Sequence, residues 1–215
     1  MKKTFFIIAT ALFSITLNAQ SAKYTKAMEP LVAALDTTWN YDGLLALANS
    51  FQRIADAEKT QWLPYYYAAY CNVKAGYTIM RTEPSAAKLD PHSDKGETLI
   101  NQAEALSKDN SEIWLVKKQI ATLRLSADPM SRYMQYGPIS TEALATAKRL
   151  NPENPRIYLL EGQDKYYTPE QFGGSKKEAA ELFALSKQKF ATFKPESSIA
   201  PHWGMKELDY FINLK

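Results

Sequence analysis

Three times along the chain an aromatic residue stands 18 positions after the first member of a triplet spaced i, i+4, i+7. The sets are Leu47, Phe51, Ile54 then Tyr65; Gly96, Ile100, Ala103 then Trp114; and Ser140, Leu144, Ala147 then Tyr158. Such a triplet occupies one face of a helix. A fixed distance from the second helix of one hairpin to the first helix of the next is what stacked helical repeats require, because that junction sets the rotation between units. The chain is therefore expected to be all-α, built of antiparallel helix hairpins. Composition agrees: only 8 glycines occur in 215 residues, and no alternating apolar and polar run bounded by turn residues argues for a strand.

Periodicity and breakers predict helices near 23 to 35, 42 to 58, 62 to 77, 94 to 107, 111 to 126, 129 to 136, 138 to 150, 155 to 166, 175 to 193 and 203 to 213. Ser175 with Glu178, and Asp94 with Glu97, have the spacing of a capping box, and Asn154-Pro155 offers a cap followed by proline at the first helical position.

The N-terminus reads as a secretory signal at residues 1 to 19. Lys2 and Lys3 precede an apolar stretch from Phe5 to Leu17, and Ala19 supplies a small residue for cleavage before Gln20. The stretch is too short to span a bilayer, which takes about 20 apolar residues. Residues 20 to 215 then form one domain, expected in the periplasm or secreted, with no stable membrane insertion after cleavage. Without Lys2 and Lys3 the formal charge of +3 falls to about +1, a balance that does not suit a nucleic-acid partner. Cys71 is the only cysteine, so no intrachain disulfide can form, and its aromatic and alanine neighbours point to a small buried hydrophobe.

With the repeat in view, the chain resembles the tetratricopeptide family. Tyr158 with Gly162, and Tyr65 with Ala69, match the aromatic and small positions of that family's first helix, while Ser140, Leu144, Ala147 and Pro152 match its second helix. Lys118 stands where a small residue is expected after Trp114, and Lys59 and Lys108 replace the terminal proline. The resemblance implies a right-handed solenoid of stacked hairpins. Carried over residue by residue, it places Tyr66, Tyr70, Leu115, Gln119, Thr122, Arg156, Leu159, Gln163 and Tyr166 along the concave side. Of these, Tyr66, Tyr70, Gln119, Thr122, Arg156, Gln163 and Tyr166 form the candidate binding groove, and Phe51, Ile100, Trp114, Leu144, Tyr158 and Phe183 are assigned to the core. The aromatic openers lie 49 and 44 residues apart, against about 34 in the family. The excess is expected in enlarged turns at Gly76 to Ser93, Ala127 to Pro138 and Thr168 to Gly174, which would emerge along one edge as a second candidate surface.

Two narrower likenesses add to this. The runs Asp128-Pro-Met-Ser-Arg-Tyr-Met134, Asn151-Pro-Glu-Asn-Pro-Arg156, Tyr167-Thr-Pro-Glu-Gln-Phe-Gly-Gly174 and Pro201-His-Trp-Gly204 resemble a family of exported tetratricopeptide-like proteins of Gram-negative bacteria, a likeness that implies no particular activity. The Phe172-Gly173-Gly174 turn is similar to the T component of TRAP transporters, which implies a role in small-solute uptake.

No catalytic, metal or cofactor site is expected. His92 and His202, the only histidines, lie apart in the sequence, in what read as loops, and neither has a partner at zinc-ligand spacing. Glu178 with Glu181, and Asp109 with Glu112, stand near helix starts, where negative charge favours the helix dipole. Gly173-Gly174-Ser175-Lys176 could present helix-start amides to an anion but lacks the phosphate-loop spacing. The sequence thus points to an exported, non-enzymatic binding or scaffolding protein whose partner is a protein, a peptide or a small solute, with solute uptake and an unrecognised enzyme as the rival readings.

Overall fold

The computed structural model describes residues 22–214, so the signal segment expected at residues 1 to 19 lies outside the described residues. Among the described residues every regular element is helical. The order is α1 (22–35), α2 (Tyr41–Glu58), α3 (Trp62–Met80), α4 (Ala86–Leu106), α5 (Ser111–Ser126), α6 (Pro129–Leu150), α7 (Pro155–Tyr167), a 3-10 turn (Glu170–Phe172), α8 (Lys176–Thr192) and α9 (Met205–Ile212). None of these helices is long and apolar enough to cross a membrane.

Local chemistry starts most of them. The side chains of Asn40, Asn110, Asp128, Asn154 and Ser175 accept hydrogen bonds from the amides of Gly43, Glu112, Ser131, Arg156 and Glu178, meeting the donors that a helix start leaves unpaired. Pro129 and Pro155 sit where the missing N–H costs nothing. Lys59 adopts a left-handed conformation that closes α2.

Short turns force consecutive helices to run antiparallel, and packing is most extensive between α2 and α3, α3 and α4, α5 and α6, and α7 and α8. Helix α3 is the centre: every residue from Pro64 to Val73 is buried, with the Tyr67 ring stacked on Phe51 at 4.9 Å. Of the expected core residues, Phe51, Ile100, Tyr158 and Phe183 are buried, while Trp114 and Leu144 are half-buried against the core. Gly162 is required where it stands, since a Cβ there would meet the Phe183 ring at 2.5 Å.

Three expectations are corrected. The enlarged turns at Gly76 to Ser93 and Ala127 to Pro138 are mostly helix: α3 runs on to Met80, α4 begins at Ala86, and α6 is continuous from Pro129. Pro91 and Pro138 lie inside these helices. A proline there removes one backbone bond, and packing of the residues just beyond it holds the helix together: His92 and Ser93 are buried after Pro91, and Ser140, 3.0 Å from the Thr122 hydroxyl, is buried after Pro138. The capping box expected at Asp94 and Glu97 is likewise absent, because both residues are mid-helix and pair with Arg124. His92 is on α4 rather than in a loop.

The α7–α8 hairpin touches α6 only lightly. It is joined to α5 chiefly by polar pairs, Arg156 with Glu112 and Lys118 with Asp164. A strap, residues 194–214, then leaves α8 and returns across α3, α7 and the end of α1. Its ties are Tyr67 Oη to the Ile199 carbonyl (2.9 Å), Lys206 Nζ to the Asp36 carbonyl (2.6 Å), and a Lys74–Glu207 ion pair.

Candidate functional site

The strap decides which groove residues can meet a ligand. Tyr66, Tyr70, Gln119 and Arg156, four of the seven groove candidates, are buried. Trp203 of the strap stacks on Tyr70 at 4.8 Å and donates its indole N–H to the Tyr66 hydroxyl at 2.7 Å. Arg156 is 1% exposed. Its Nε lies 3.1 Å from both Glu112 carboxylate oxygens, its Nη1 donates to the Trp203 carbonyl at 3.3 Å, and its guanidinium lies 5.5 Å from the Trp203 ring. Glu112 also accepts from Asn154 Nδ2 (2.6 Å) and Tyr66 Oη (3.1 Å). Burial pushes the phenols of Tyr66 and Tyr70 well above their ordinary range, with Glu112 and Glu207 adding to it respectively. These hydroxyls are neutral hydrogen-bonding groups. The network is a largely buried polar core in which Glu112 keeps a small exposed edge.

Thr122, Gln163 and Tyr166 remain half-buried. Lys118, the unexpected residue after Trp114, is itself buried, with Nζ 2.5 Å from Asp164. Beyond this pair, where α7 ends and α9 lies alongside, an aromatic corner reaches solvent. The rings of Tyr166 and Tyr167 lie 5.5 and 5.8 Å from Phe211, Phe211 stacks on Phe183 at 4.8 Å, and Tyr210 is 5.3 Å from Phe211. Tyr167 is 66% exposed and Tyr210 53%. A cation borders the corner, with Lys176 Nζ 4.6 Å from the Tyr166 ring centre. Partial burial and the neighbouring Tyr210 raise the Tyr167 phenol.

The turn that carries Phe172 is shaped by glycines. Gly173 has φ 90°, and a Cβ on Gly174 would lie 1.7 Å from the Thr168 carbonyl oxygen. Ser175 caps α8, so the Gly173–Lys176 run is used locally. Tyr166 is one of the groove residues that the sequence suggests, whereas Tyr167 and Tyr210 beside it come from two elements without a shared period. A second apolar surface, Met130, Tyr133, Met134 and Ile139, lies exposed on the first half of α6.

The histidines are otherwise engaged. His92 is buried 3.3 Å from the Tyr41 hydroxyl, and burial lowers its pKa. His202 Nδ1 is 3.1 Å from the Ala200 carbonyl, and Nε2 is 3.6 Å from Asp36. Among the described residues no group of three His, Cys, Asp or Glu side chains could hold a metal ion. The corner offers exposed aromatic faces with a lysine beside them.

Fold and surface together define an all-helical hairpin protein with an aromatic, cation-bordered corner. No family model and no curated protein matches the chain. It is similar to a solved structure, the HusA haemophore from Porphyromonas gingivalis, with 34% identity and a TM-score of 0.78 over 88% of this chain and 90% of that one. The chain belongs to the family of that haemophore.

Proposed function

We propose that the protein is an exported, non-enzymatic carrier of a flat, amphipathic aromatic ligand of the haem type, displayed on a tetratricopeptide-like right-handed solenoid. Kinship with a haemophore across nearly the whole of both chains carries this reading. The aromatic corner supports it. A porphyrin has two large apolar faces and carboxylate side chains; Tyr167 and Tyr210 offer faces, and Lys176 offers countercharge. Aromatic contacts supply binding area at low ordering entropy.

Haem titration followed in the Soret band tests the proposal. Wild type should show a saturable spectral change. Replacing both Tyr167 and Tyr210 with Ala should weaken binding about 5- to 150-fold, since each aromatic contact is worth about 0.5–1.5 kcal/mol. No saturable change in wild type would sink the ligand assignment. Unchanged affinity in the double variant would keep the ligand and remove the corner as its site.

A further inference from the structure

The first half of α6 gathers the most exposed sulfur of the described residues. Met130 is 90% exposed and Met134 83%. Four positions apart on one helix, they stand one turn from each other on the same face. The other described methionines are better covered: Met28 is buried in the core, Met80 is half-buried against it, and Met205 is 37% exposed. Neither Met130 nor Met134 belongs to the core or packs against it. Other side chains fix α6 in place. Asp128 caps the Ser131 amide, Arg132 donates to both Asp90 carboxylate oxygens and to the Arg124 carbonyl, and Ser140, Ala143, Thr146 and Ala147 are buried. The two methionines can therefore change polarity without loss of a core contact.

A thioether needs no deprotonation to react, so exposure of its sulfur decides which methionine an oxidant reaches first. We propose that Met130 and Met134 form a paired oxidation site, at which a hydroperoxide turns the outward face of α6 from apolar to polar while the fold stays intact. In each step a sulfur lone pair attacks one peroxide oxygen. The S–O bond forms as the O–O bond breaks, and the proton on the transferred oxygen passes to the departing one. The thioether is oxidised to a sulfoxide, and hydrogen peroxide is reduced to water. A sulfoxide is polar, and methionine sulfoxide reductases convert it back to the thioether. The change is thus reversible, and it falls on the two most exposed side chains of the apolar surface that Tyr133 and Ile139 complete. This site is separate from the aromatic corner and does not depend on the haem reading.

Peroxide footprinting of the purified, ligand-free protein tests the proposal. The protein is treated with hydrogen peroxide for increasing times, quenched with free methionine, digested with trypsin and mapped by mass spectrometry. Arg132 separates Met130 from Met134, and Met28, Met80 and Met205 each fall in a tryptic peptide of their own, so every site is read independently. Sulfoxide should form at Met130 and Met134 at least about tenfold faster than at Met28. With only the pair modified, the melting temperature should hold, while retention on a hydrophobic-interaction column should fall and then recover after treatment with both classes of methionine sulfoxide reductase. A variant carrying Met130→Leu and Met134→Leu keeps the face apolar without sulfur, and its retention should not respond to peroxide. The proposal is overturned if Met28, Met80 or Met205 is oxidised as fast as the pair, if melting falls as the pair is modified, or if the leucine variant loses retention as wild type does.

Discussion

Replacing Glu112 with Gln tests the buried polar network most sharply. The change keeps shape and removes one charge, leaving the Arg156 guanidinium, 1% exposed, without its counterion. Burial opposes the charge on Arg156, and attraction to Glu112 outweighs it, so the Arg156 pKa is raised. Breaking a buried pair by neutralising one partner costs about 3–5 kcal/mol. Natural domains are stable by only about 5–15 kcal/mol, so roughly a fifth or more of the total is at stake. For a chain of this size about 1 kcal/mol corresponds to roughly 2–4 °C in Tm, and Glu112→Gln should melt about 6–20 °C lower. Arg156→Met in the same background removes the stranded charge and should recover a large share of the loss, because an apolar replacement for a buried pair is often close to neutral. Urea unfolding followed by circular dichroism for both single variants and the double variant closes the cycle. A single variant within about 1 kcal/mol of wild type, or a double variant as unstable as the two single losses added together, would refute the reasoning.

Gly162→Leu should overpack the Phe183 contact and lower stability by about 1–3 kcal/mol in thermal melts, since Phe183 is pinned against Phe211 and cannot retreat. Asp90, held below the usual carboxylate range by its Arg132 hydrogen bonds, stabilises the fold above its unfolded pKa of about 4. That contribution is lost as pH falls through the lowered folded value. Asp90→Asn should therefore flatten the acid limb of an unfolding curve relative to wild type. Burial raises the Cys71 thiol far above its ordinary range, so Ellman's reagent should leave the native protein unlabelled at pH 8 and react fully in denaturant.

Hairpins, most helix ends and the tight Gly162 contact were legible because each leaves a local mark: a period, a cap or a missing side chain. The Asn154–Pro155 start and the Ser175 cap follow from residues within three positions of one another. Prolines misled in the other direction. Pro91 and Pro138 read as boundaries, but packing on the far side of each keeps the helix intact. Glu112 read as a helix-start acid and Arg156 as a groove cation; their pairing across 44 residues has no periodic signature. The strap was the largest omission, and it explains why a groove inferred from position alone is half closed. The short helix was expected at 203 to 213, but nothing in its sequence says which surface it covers.

The reach of the strap sets how the chain behaves as a folding unit. Helix hairpins gain most of their contacts from near neighbours, so arrays of them lose cooperativity with length and can fray unit by unit. Here, ties at sequence separations of 132 and 170, from Tyr67 to Ile199 and from Asp36 to Lys206, couple the first two hairpins to residues that lie beyond the last one. Translation delivers those residues after every hairpin has emerged. The hairpins can therefore form as semi-independent pieces, and all-or-none behaviour arrives only when the strap seats.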